Sequence, residues 1–64
     1  MEIKGGAIVR FVYTGNRYRV RRTAWGISLD PLGRVFPGEP ILTVDVEIKR
    51  ALRDGAIELE AADG

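Results

Sequence analysis

Ala7-Ile8-Val9-Arg10-Phe11-Val12-Tyr13, then Thr14-Gly15-Asn16-Arg17, then Tyr18-Arg19-Val20-Arg21-Arg22 is the stretch from which the architecture follows. Branched and aromatic side chains suit a pleated surface, so both outer runs read as strands. Gly15-Asn16 between them is a two-residue hairpin signal, with Gly supplying the positive φ of a type II′ turn. That turn predicts Tyr13 opposite Tyr18, Phe11 opposite Val20 and Val9 opposite Arg22. Side chains alternate faces along a strand. One face then carries Val9, Phe11, Tyr13, Tyr18 and Val20; the other carries Arg10, Val12, Arg19 and Arg21, with Arg17 at the turn.

The rest of the chain supplies partners for this hairpin. Residues 25–29 form a third strand candidate with Trp25, Ile27 and Leu29 on one face. Asp30-Pro31-Leu32-Gly33 has the residue order of a type I turn, and Arg34-Val35-Phe36 would return as a short strand. Pro37-Gly38 suits a type II turn. Thr43 is the expected N-cap of a helix over about residues 43–54. Its apolar stripe is Val44, Ile48, Ala51 and Leu52. Gly55 ends it in the left-handed position. Residues 56–60 alternate inward Ile57 and Leu59 with outward Glu58 and Glu60, and residues 61–64 read as a tail. The expected fold class is α+β: one domain over 1–64, with a small, mostly antiparallel sheet or half-barrel of about five strands and one helix. Ile48, Leu52, Ile57 and Leu59 should share a core with Phe11, Val20 and Trp25. Trp25 is read as the core's centre; the alternative is an exposed anchor in a partner's pocket.

Composition narrows the chemistry. The 64 residues hold no Cys and no His. A disulfide framework, a thiol nucleophile, a thiolate zinc site and an imidazole base are all excluded. Thr14, Thr23, Ser28 and Thr43 are the non-phenolic hydroxyls, and no imidazole exists to activate them. Gly5-Gly6 precedes a strand rather than a helix, so it is not a phosphate loop. No Asp-x-Asp-x-Asp loop offers a hard-cation site. The expectation is a non-enzymatic chain without cofactor or metal. No apolar run approaches the roughly 20 residues of a membrane span, and the N-terminus lacks a signal-peptide core. Cytoplasm is the expected location, or the virion if the chain is phage-encoded. A domain this small is marginal alone, so completion by other protein subunits or by self-association is expected.

Charge is unevenly distributed. Residues 1–22 hold six cations against one acid, and residues 23–64 hold four cations against eight acids, for a net +1. The basic hairpin makes Arg10, Arg17, Arg19, Arg21 and Arg22 the candidate partner-binding or nucleic-acid-binding residues. Such a stripe can track phosphates. Equally, Arg forks match carboxylates of a neighbouring subunit or of the same chain. Near-neutral net charge favours the protein-facing or solvated reading over nucleic acid.

Two resemblances extend this reading. Gly15-Asn16-Arg17-Tyr18, Pro37-Gly38-Glu39, Ala51-Leu52-Arg53-Asp54-Gly55 and Ile57-Glu58 together resemble a pattern in short proteins of tailed phages. In these, a Gly-x-x-Tyr hairpin, a Pro-Gly turn, a helix ending Leu-x-x-Gly and a last strand follow one another. The stretch 23–36 is additional here. The resemblance implies a small virion or assembly protein. Separately, Asp30-Pro31-Leu32-Gly33-Arg34-Val35 with Glu47-Ile48-Lys49-Arg50-Ala51-Leu52 is similar to AbrB-type DNA-binding regulators. That likeness implies a swapped dimer whose arginines read DNA, although residues 36–43 separate strand from helix here.

Overall fold

The computed structural model of the protein describes residues 3–61. Strands β1 (Ile8–Phe11), β2 (Arg17–Arg22) and β3 (Ile27–Pro31) precede helix α1 (Asp45–Arg53), and β4 (Ile57–Ala61) follows it. They form one antiparallel sheet in the order β3-β2-β1-β4 with one helix, an α+β domain.

The hairpin forms, but with another register. Val9 faces Tyr18, Arg10 faces Arg17 and Ile8 faces Arg19. The expected type II′ turn at Gly15-Asn16 is replaced by a four-residue loop, 12–15. Phe11 N donates to Asn16 O at 2.8 Å, and Gly15 N donates to Phe11 O at 2.8 Å. Gly15 takes φ 79°, the left-handed position that such longer hairpin loops place on glycine. Asn16 leaves the turn because its side chain is buried. Val9 thus meets Tyr18 instead of Arg22, a slip of four residues. An even slip keeps every side chain on its face, so the apolar and arginine faces survive.

The core lies on the apolar face. Val9, Phe11, Val20, Ile27 and Ile57 from the four strands pack with Ile48 of α1 and with Ile3 and Ala7. The Phe11 and Tyr18 rings meet edge to face at 5.4 Å between centroids. Three expected core residues differ. Leu52 is half-buried. Leu59 faces the core side opposite Val9, but it sits on an edge strand and stays 40% exposed. Trp25 is not core at all: it is 86% exposed. The third strand starts only at Ile27, and Trp25 occupies the turn before it.

Among the described residues four strands form, and residues 34–36 do not pair. The main-chain groups of Phe36 are taken by a side chain, that of Asn16. Asp30 and Pro31, expected in a turn, end β3 instead; Leu32 N then donates to Arg17 O at 2.9 Å. The helix also starts later than expected. Val44, not Thr43, is its N-cap, and it makes no side-chain cap. Thr43 stays outside the helix, where its carbonyl accepts from Ile27 N at 2.8 Å on the outer edge of β3. Glu47 reaches back to accept from Thr43 N at 2.8 Å, which supplies part of the missing cap.

The helix ends as its sequence predicts. Gly55 has φ 78°. Its N–H donates to Leu52 O, and Ala56 N donates to Ala51 O at 2.9 Å, the paired bonds of a Schellman motif. This sharp stop turns the chain directly into β4, the strand closest to α1. Ala61, expected in the tail, closes β4; residues 62–64 lie outside the described residues.

Candidate functional site

Arg10, Arg19 and Arg21 share the face away from the core, as alternation predicts, and Arg17, expected at the turn, opens β2 and joins them there. Arg10 on β1 lies directly opposite Arg17 on β2. Like charges in that position repel, and acids of β4 relieve them. Arg10 reaches Glu58 at 2.9 Å and Glu60 at 3.5 Å, while Arg17 reaches Glu60 at 2.8 Å. Arg21 meets Asp30 at 3.0 Å and Ser28 at 3.2 Å on β3. The order of strands places Glu58 and Glu60 on one side of the arginines and Asp30 on the other. Arg19 alone of the stripe has no side-chain hydrogen bond or ion pair among the described residues.

Arg22 does different work. It lies opposite Ile27 at the end of β2. Its guanidinium grips Asp45 with two bonds, of 2.6 and 2.9 Å, and donates to Ile3 O at 3.1 Å. This fork joins the sheet to the first turn of α1 and holds the Asp45 carboxyl below its usual range. Glu47 is also held low, first by the Thr43 N–H.

A polar cluster missed by sequence reasoning lies on the apolar side. Asn16, 2% exposed, donates from Nδ2 to Phe36 O and to Glu39 Oε1, both at 2.7 Å. Its Oδ1 accepts from Phe36 N at 2.9 Å. Tyr18 O–H donates to Glu39 Oε1 at 2.8 Å, and Thr14 O–H donates to Glu39 Oε2. Burial pushes the Tyr18 phenol up, and Glu39 adds to the shift. Glu39 has three neutral donors and no cation among the described residues. A signal did exist: Asn16 falls on the same face as Tyr18 and Val20, a polar residue where an apolar one would alternate.

The ends of the sheet are apolar and open. Residues 23–26 form a tight turn between β2 and β3, in which Thr23 N donates to Gly26 O at 2.9 Å. Thr23 Oγ1 accepts from Gly26 N at 3.0 Å and from Trp25 N at 3.3 Å. The turn is thus pinned, with Trp25 at its tip. At the other end a groove of about 660 Å³ lies between the 12–14 loop, residues 37–40 and the end of α1. A smaller groove of about 230 Å³ runs between β3 and residues 39–43. Tyr13 and Ile41 are 91% and 85% exposed. Among the described residues no group of three carboxylates could hold a metal ion, and no helix is long and apolar enough to cross a membrane. Comparison with protein-family models, with curated proteins and with solved structures finds no match for this chain.

Proposed function

We propose that this chain is a non-enzymatic protein–protein association module, a structural or assembly subunit of the phage-like kind that its motif pattern resembles. It would work in the cytoplasm or in the particle itself. The observation that carries this reading is the set of large apolar side chains held in water, above all Trp25 on its pinned turn. Aromatic residues on rigid supports are the usual anchors of protein interfaces.

The arginine stripe supports nucleic acid less well. Arg10, Arg17, Arg21 and Arg22 already meet acids of the same chain. A nucleic-acid binder, the competing reading, would have to exchange those contacts for phosphates. Titration of duplex and single-stranded DNA at low and moderate salt tests this, using the parent and Arg19→Ala/Arg21→Ala. Weak binding, equal for both proteins, is expected. Micromolar binding at moderate salt, weakened by the double change and with a shallower salt slope, would favour the nucleic-acid reading instead. In a second arm the chain is co-expressed with the proteins encoded beside it. A stoichiometric complex that dissociates with Trp25→Ser/Ile41→Ser is expected.

A further inference from the structure

Trp25 and the larger groove sit at opposite ends of the molecule. The Trp25 turn follows the C-terminal end of β2; the groove is built on the loop that precedes β2. Six residues of strand separate them, about 20 Å at the rise of an extended chain. We propose that Trp25 of one copy seats in this groove of the next copy, so that the chain associates head to tail. The proposal rests on the association-module reading and names its first partner: a second copy of this chain.

Shape supports the fit. The groove is walled by Val12, Tyr13, Pro37, Pro40, Leu42 and Ala51, an apolar lining large enough for an indole. An enclosed Trp removes about 150–250 Å² from water. The tight turn presents Trp25 without a floppy stem, which lowers the ordering cost of binding.

Charge supports it as well. Glu39 is the one charged side chain in the groove lining. Its Oε2 takes a single donor, from Thr14, so it can accept another, and the indole N–H supplies one. The groove adjoins Gly55 and Ala56, just past the C-terminus of α1. The Trp25 turn adjoins the helix start, because Gly26 lies against Thr43 and Val44. Head-to-tail stacking therefore brings the acidic first turn of one helix, with Asp45 and Glu47, toward the basic last turn of the next, with Arg50 and Arg53. These full charges outweigh the opposed half-charges of the helix dipole. Lys4, exposed and without an ion pair among the described residues, belongs to the Trp25 end, beside Gly5 and Arg22.

Pairing of copies through the sheet edges is disfavoured. Edge-to-edge pairing of two β4 strands about Leu59 would set Glu58 opposite Glu60 of the second copy, and like charges so placed repel. β4 also carries a register irregularity against β1, a feature that discourages edge pairing. The β3 edge is occupied at Ile27 by Thr43. A Trp25-in-groove contact uses different surfaces on the two copies, so it builds rings or filaments rather than a symmetric pair.

The sole Trp of the chain makes the test direct. Sedimentation and intrinsic fluorescence are followed together over about a hundredfold range of concentration. Association with a blue shift of the indole emission is expected. Trp25→Ala should weaken association by about thirtyfold, the change that a buried aromatic anchor carries. Ala56→Glu, which puts a charge at the groove mouth, should do the same; thermal melting checks that both variants fold. Trp25→Ala keeps its groove and Ala56→Glu keeps its indole. Mixed, they should form a one-to-one complex that grows no further. Association that survives Trp25→Ala would overturn the groove seat and leave the association-module reading standing. A parent that stays monomeric, with concentration-independent emission, or a mixture that forms no complex, would also overturn the seat. The co-expression experiment then decides the module reading separately.

Discussion

The side-chain amide of Asn16 grips the main chain of Phe36 from both sides. Nδ2 donates to Phe36 O at 2.7 Å, and Oδ1 accepts from Phe36 N at 2.9 Å. A side chain thus replaces the backbone partner that a fifth strand would have offered. The same Nδ2 holds Glu39. Asn16→Leu keeps the branched shape, with somewhat larger volume, but strands both Phe36 groups and one bond of Glu39. It should destabilise the protein by about 2–3 kcal/mol in denaturant unfolding. Asn16→Asp should cost more at neutral pH, because it sets a second carboxylate against Glu39. A melt unchanged by either substitution would show that water replaces the clamp.

The core ranks its helix residues. Ile48 is fully buried, whereas Leu52 is only half-buried. Ile48→Ala should cost about 2–5 kcal/mol. Leu52→Ala should cost about 1–2 kcal/mol, since less area returns to water. Equal losses in chemical denaturation would mean that the helix is rotated from the orientation described.

Acid should loosen the junction of sheet and helix. The carboxyl of Asp45 is lowered chiefly by its bonds to Arg22, and that of Glu47 by the Thr43 N–H. A folded-state pKa below the unfolded value adds stability above the unfolded pKa. That stability disappears as pH falls through the folded value. The melting temperature should therefore drop below about pH 4. Asp45→Asn should flatten the drop, and an identical profile for both proteins would remove Asp45 from its cause.

Gly26 is required by contact rather than by its own dihedral. A Cβ there would stand 2.3 Å from Thr43 O, so backbone must move. Gly26→Ala should cost about 1–3 kcal/mol. It should also speed hydrogen exchange at the Ile27 amide, whose acceptor is that same carbonyl. Unaltered protection at Ile27 would place the strain elsewhere.

Period-two alternation is local, so the residues alone told which side of the hairpin each side chain takes. It separated Val9, Phe11 and Val20 from Arg10, Arg19 and Arg21, and an even register slip left that separation intact. The helix end at Gly55 was legible for the same reason: its two capping bonds lie within a few residues. The loop length of the hairpin was not legible. Asn16 looks like a turn residue until Phe36 and Glu39, 20 and 23 positions away, arrive to satisfy it. Nor was Trp25: a lone indole fits a core or a turn tip equally well until the start of β3 is known. The arginines were identifiable as a stripe, but their partners were not. Which acids reach them depends on the order β3-β2-β1-β4, which brings Glu60 to Arg17 across 43 residues of chain. Such contacts form only when distant segments pack, and no local pattern of residue types encodes them.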